Sequence, residues 1–360
     1  MYNGRPVTIK ERVLSQYKAT VIADSISSVT HKRITTFELE FPRIILAEFN
    51  THNALSKNAS SSRAIPVPTM LKQVRENPAF PARFGAANTG MQDKGPHTDL
   101  VEIEMGTIHE VGSPEYIWET AAHIASEIAE SYHNAGYAKQ ICNRLIEPFQ
   151  MMKVVMTATE LNNLFWLRDH SAADPTIAVL VRLIKEAFEA STPVVLQPGE
   201  WHVPYYNSGY WKPSRKANVY DEKGISTEIH VDSFGHSLEH ALVISASCCA
   251  QVSYRKLDDT IEKARGVVAR LNLQGEEPDQ PVHASPLEHQ ATPIAKHDKV
   301  VCNDYGNGER YYFGSDLNLM DPRTWEQGIT HMDRDLTLCS GNLKGWIQHR
   351  QLVPNHVKVG

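Results

Sequence analysis

Residues 34–63 read ITTFELEFPRIILAEFNTHNALSKNASSSR, and the architecture is decided there. Phe37, Leu39 and Phe41 alternate with Thr36, Glu38 and Glu40, the period of a strand with one face toward a core. A second apolar segment, Ile44-Ile45-Leu46, follows at once. The chain then turns polar and small, and closes on prolines with Ala64-Ile65-Pro66-Val67-Pro68. That composition suits a loop or helix entry facing a ligand. Ser60, Ser61 and Ser62 stand beside Arg63, and hydroxyls next to a guanidinium make a cradle for a phosphate dianion.

Working outward, residues 74–112 carry repeated prolines and glycines and predict a long irregular excursion. Ser113 as N-cap with Pro114 in the first turn predicts a helix to about Ala135. A second helical stretch is expected from about Thr157 to Asp169. A third opens on the cap-and-proline pair Asp174-Pro175 and sets Ile177, Leu180, Val181, Ile184 and Phe188 on one face. Residues 197–232, rich in Pro, Gly, Tyr and Trp, predict a boundary or a long functional loop. Helical signals return over 237–254 and 258–273, and the tail from Asp304 has no clear period. The expected division is 1–196, a loop over 197–232, and 233–360, joined as one integrated catalytic domain.

A composition of 41% hydrophobic and 22% charged residues is that of a water-soluble globular chain. No run of eighteen apolar residues occurs, and the opening MYNGRPVTIKERV lacks the apolar core of a secretion signal. The five cysteines show neither a CxxC pair nor finger spacing, so a reduced, cytoplasmic setting is expected. A net charge of −6 argues against a protein that coats nucleic acid, yet two or three arginines suffice for one phosphate. His236 and His240 stand at helical i, i+4 spacing around Glu239, but without a third ligand in the sequence no metal site is expected.

The run Thr51–Arg63 resembles the signature of the flavin-dependent thymidylate synthases: Arg-His-Arg, seven residues, a serine, and an arginine two further on. His52 takes the place of the central histidine, Ser61 the serine and Arg63 the last arginine, with Asn58 matching an internal asparagine. Thr51 and Asn53 replace the flanking arginines. Asn143-Arg144-Leu145-Ile146-Glu147-Pro148 is similar to the family's Ala-Arg-x-x-Leu-Pro segment. Leu161–Arg168 is similar to a helix that ends in Leu-Arg. Ala250-Gln251-Val252-Ser253 and His283-Ala284-Ser285-Pro286-Leu287-Glu288-His289 resemble two blocks that in the family precede the signature, so the order here is that of a circular permutation.

The resemblance implies an α+β fold, a twisted and mainly antiparallel sheet with long helices packed on it. It implies methylation of dUMP at uracil C5 to dTMP, with FAD as cofactor and NADPH and methylenetetrahydrofolate as co-substrates. The partner is a pyrimidine deoxynucleotide monophosphate, and the assembly a homotetramer with shared active sites. Carried over residue by residue, Ser61, Arg63, Arg144 and Arg168 bind substrate. The three arginines stabilise charge developing on the ring. His52, Asn58, Asn163, His170, Ser253, His283, Ser285 and Glu288 contact flavin. Gln251 stands where the family has an arginine. Two alternatives stay open: another flavin-dependent C5 modification such as hydroxymethylation, or a non-catalytic nucleotide-binding descendant. A hydrolase built on His and carboxylates around 236–240 is the least expected. Each residue also has a plainer reading. Arg144 and Arg168 near helix ends suit surface ion pairs, Asn163 suits a satisfied polar group, and Cys248 and Cys249 suit small buried hydrophobes.

Overall fold

The computed structural model describes residues 13–90, 92–220, 223–253, 257–295, 301–304, 310–313 and 321–358. Five strands form the main sheet: β1 Lys18–Ser27, β2 Arg33–Pro42, β3 Ser56–Ala59, β4 Met151–Ala158 and β5 Val194–Leu196. They lie in the order β3-β4-β2-β1-β5, antiparallel throughout except for the parallel pair β1 and β5. Among the described residues the α-helices around the strands include α1 Leu46–Asn50, α2 Val67–Glu76, α3 Pro114–Asn134, α4 Lys139–Arg144, α5 Asn162–Arg168, α6 Pro175–Ala190, α7 Leu238–Ala250 and α8 Ile261–Arg270. The fold class is α+β with mainly antiparallel sheets, as expected.

The alternation in β2 does what its period requires. Phe37, Leu39 and Phe41 are fully buried against Met152, Val154 and Met156 of β4 and against Ile177, Leu180, Val181 and Ile184 of α6. Each such side chain contributes roughly 1.5–3 kcal/mol on burial. Ser113 and Asp174 cap α3 and α6 by accepting bonds from the first-turn amides, with proline just inside each start.

Two sequence expectations are corrected in detail. The helix expected from Thr157 is strand β4 up to Ala158, and only Asn162–Arg168 is helical. The β4 segment holds Val154, Val155 and Met156 and pairs on both edges, with β2 and β3, so sheet pairing overrides a short helical pattern. Within the polar run 51–63, residues 56–59 form β3, an edge strand and not a loop.

Residues 197–232 also contain regular structure. Two short strands, β6 Trp201–His202 and β7 Tyr210–Trp211, are followed by the hairpin β8 Arg215–Tyr220 and β9 Ser226–Val231. With β10 Ala291–Pro293 and β11 Trp346–Gln348, β6 and β7 build a second sheet in the order β11-β10-β6-β7. Trp201, Val203, Tyr206 and Trp211 pack there against Ala241 and Ile244 of α7 and Ala264 and Val268 of α8. Helix α7 is buried on nearly every side from Ala241 to Cys249, as a helix apolar all round must be. Its last turn reaches the main sheet, where Cys249 packs on Val155.

Candidate active site

The site is organised by β3. At its start, His52 is buried just beyond α1, and its Nε2 accepts a hydrogen bond from Arg168 Nε at 3.1 Å. Arg168 closes α5, and its Nη2 also donates to Thr51 Oγ1 at 3.4 Å. An arginine can only donate, so the bond requires a lone pair on Nε2 and a neutral imidazole. Burial first, then the charges of Arg168 and Lys57, hold the His52 pKa below its ordinary value. The Thr51 hydroxyl in turn donates to the Glu48 carbonyl at 2.6 Å.

Lys57 Nζ donates to the carbonyls of Phe49, Asn50 and His52, at 3.4, 3.3 and 2.7 Å, and so caps the C-terminal end of α1. Burial lowers its pKa, and the nearby charge of Glu288 opposes that shift. Glu288 is ion-paired with Arg350.

The middle of β3 gathers the blocks that stand out of order in the sequence. Asn58 Nδ2 donates to the Cys249 carbonyl at the end of α7, at 2.8 Å, while Asn58 Oδ1 accepts from Ser285 Oγ at 2.8 Å. Ser253 lies in the single 3-10 turn that follows α7. Gln251 is buried there, donating to Ser247 Oγ and the Asp258 carbonyl and accepting from the Asp258 amide. This glutamine therefore ties Asp258 to α7.

Past β3 the chain enters the turn of Ser61 to Arg63. Ser61 Oγ accepts from the Arg63 amide at 3.2 Å, a serine turn that leaves the Arg63 side chain exposed. Asn143 is fully buried, and its Nδ2 donates to the carbonyls of Ser62 and Ile65 at 2.9 and 3.0 Å, tying α4 to this turn. Arg144, the next residue, is exposed beside it. The buried Oδ1 of Asn143 has no partner among the described residues.

The other expected residues are exposed. Asn163 is exposed on the first turn of α5. His170 is exposed, its Nδ1 accepting from the Ala172 amide. It lines an open cavity of about 920 Å³ together with Arg83, His97 and Arg182, none of them β3 residues. His283 is exposed ahead of the Ser285–Glu288 turn.

Two residues escaped the sequence reading. Lys57 was legible only as one more polar residue in a polar run. Trp166, 76% exposed between Asn163 and Arg168, offers an indole face at the site's edge, and a large aromatic among polar neighbours on a short helix was its signal.

Burial pushes the thiols of Cys248 up to about 12 and of Cys339 to about 11, and that of Cys249 well above its ordinary value, which makes these three poor nucleophiles. His236 and His240 stack face to face with centroids 4.1 Å apart. Among the described residues the one cluster with metal-ligand spacing is Glu102, Glu104 and His109, all on the surface. No helix among the described residues is long and apolar enough to cross a membrane.

No family model matches the chain, and no curated protein matches it. Among solved structures the chain is similar to a flavin-dependent thymidylate synthase, ThyX, from Helicobacter pylori, complexed with FAD and dUMP. That likeness has a TM-score of 0.30 and 12% identity, covering 43% of this chain and 67% of that one. A second ThyX structure from Helicobacter pylori with FAD and dUMP gives a TM-score of 0.28 at 16% identity, with the same coverage. A UMP/dUMP methylase, PolB, from Streptomyces cacaoi, bound with 5-Br dUMP, gives a TM-score of 0.30 at 16% identity, covering 43% of this chain and 66% of that one.

Proposed function

We propose that this protein is a flavin-dependent enzyme that modifies the uracil ring of a pyrimidine deoxynucleotide at C5, with methylation of dUMP to dTMP as its reaction. One observation carries the reading: Asn58 holds Ser285, distant by 227 positions, and the end of α7 on one strand edge. Three stretches that resemble separate family blocks thus meet around a single side chain.

The donor set fits a phosphorylated ligand. Arg63 and Arg144 are exposed guanidiniums on segments tied together by Asn143, and the fork of an arginine matches a phosphate bidentately. Arg168, half-exposed and steadied by His52 and Thr51, supplies a third cation. On the flavin side, Asn163, His170 and Trp166 offer exposed hydrogen-bonding and stacking groups, whereas Ser285 and Asn58 already satisfy each other. FAD, when bound, supplies the electrons of the reduction, with NADPH and methylenetetrahydrofolate as co-substrates. The chain's own work is to hold the nucleotide phosphate and to set a guanidinium where negative charge grows on the ring. Ser253, His283 and Glu288 complete the proposed flavin contacts. A homotetramer with shared sites belongs to the same reading.

The test is titration of the apoprotein with FAD, followed by flavin fluorescence quenching, with and without dUMP. Saturable binding at tens of micromolar or below supports the flavoenzyme. If dUMP binds and FAD does not, even in an Asn53→Arg variant, the protein is a nucleotide binder without the reaction.

A further inference from the structure

The turn after β9 and the first turn of α7 enclose a second group of aromatic and ionisable side chains, which reaches the main sheet through Tyr205 packed against Val155 and Cys249. Asp232 is buried, and its Oδ1 accepts from the amides of Phe234 and His236, both at 2.9 Å. Its Oδ2 accepts from the Tyr206 hydroxyl at 2.5 Å. The same hydroxyl lies 3.0 Å from His236 Nδ1. A phenol has one proton, so with that proton on Asp232 it must accept from Nδ1–H of His236, which fixes the tautomer of that ring. His236 then stacks on His240, interplanar angle 12°. The neighbouring Tyr205 is tied as well, its hydroxyl donating to Glu38 Oε2 at 2.8 Å.

These side chains border a cavity of about 240 Å³ walled by Tyr205, Tyr206, Phe234, His236 and His240, with the carboxylate of Asp259 at its margin. Both phenol hydroxyls are engaged in bonds to carboxylates, so the tyrosines present ring carbon to the space. Phe234 is 62% exposed, on a turn pinned by Asp232. None of the described lining residues is a lysine or an arginine. Tyr205 and Asn207 hold φ of 67° and 50°, left-handed backbone that persists in a side-chain-bearing residue where surrounding structure imposes it.

Parallel stacked imidazoles do not converge their lone pairs on one point, which disfavours a metal ion held between them. Aromatic faces around a small space, with one carboxylate and no cation on the described walls, suit a different guest. We propose that this cavity is a binding site for a small organic cation of the substituted-ammonium class, held by the ring faces and balanced by Asp259. Burial first, and then the charges of His236 and Arg265, lower the pKa of His240, while Asp232 and Glu239 oppose that shift.

The probe is choline, titrated calorimetrically into the full-length protein, against its uncharged isostere in which carbon replaces the quaternary nitrogen. Choline should bind saturably and the isostere at least about tenfold more weakly, since only the cation gains from the ring quadrupoles. Phe234→Ala, on an exposed turn where folding is not at stake, should weaken choline by about tenfold. Asp259→Asn should weaken it several-fold. No saturable binding of choline, equal binding of the isostere, or an unchanged affinity in Phe234→Ala would each overturn the assignment. Each outcome is independent of whether FAD or dUMP binds at β3.

Discussion

Arg168 Nε donates to His52 Nε2 across 3.1 Å, joining residues 116 positions apart. The bond makes the two side chains one unit: a neutral imidazole orients the guanidinium, and the guanidinium keeps the imidazole neutral. In Arg168→Ala the repelling charge is gone, so the His52 pKa should rise toward its ordinary value while burial still holds it below. Titration of the His52 ring proton by NMR reads this directly. An unchanged titration would mean the two groups are not coupled in solution.

Asn58 supports a second expectation. Asn58→Ala removes two hydrogen bonds and strands the Cys249 carbonyl, a loss of roughly 1–3 kcal/mol. Asn58→Asp should be worse, because a carboxylate would then face that carbonyl oxygen. Urea unfolding ranks the variants, and an Asp variant as stable as wild type would contradict the arrangement.

Much of this site was legible because its chemistry sits in short runs. His52, Ser61, Arg63 and Arg168 belong to local patterns, and cap-plus-proline starts announced α3 and α6. What stayed hidden depends on partners far away in sequence. Residues 56–59 gave no strand period, and they are a strand because β4 offers an unpaired edge. The pairs at β6 and β7 are too short for any periodicity, so the 197–232 stretch resembled a loop. Gln251 stands where the resemblance has an arginine, and its bonds to the Asp258 backbone were not legible in the pattern.

Below the site runs a buried polar chain: Ser25 Oγ to His202 Nδ1, His202 Nε2 to Thr36 Oγ1, Thr36 to Thr157, and Thr157 to His289 Nδ1, all at 2.7–2.9 Å. Burial lowers the pKa of both histidines to about 3, and that of His349 to about 4. In the unfolded chain each returns to roughly 6.5 and takes up protons the folded state refuses. Stability is therefore full above about pH 6.5 and falls as the pH drops toward 3, each histidine adding up to about 1.4 kcal/mol per pH unit. Melting temperatures from pH 8 to 5 should begin to fall near 6.5, with His202 and His289 ring signals unshifted while the protein stays folded. Titration of either ring near 6.5 in the folded protein would refute the buried neutral chain.

Arg63 is expected to act on the phosphate alone. Arg63→Ala should weaken dUMP about ten- to a hundredfold, the worth of charge-assisted bonds of roughly 1.5–3 kcal/mol, and leave deoxyuridine unchanged. Calorimetry with both ligands makes the comparison. Equal loss for nucleotide and nucleoside would place Arg63 elsewhere than at the phosphate.

The proposed reaction at uracil C5 leaves its mark in the mass of the nucleotide product. Protein reconstituted with FAD is incubated with dUMP, NADPH and methylenetetrahydrofolate, and the nucleotide is recovered. Wild type should form dTMP, and Arg168→Ala protein that remains folded should not. Recovery of dUMP unchanged from protein shown to hold both FAD and dUMP would contradict the proposed reaction.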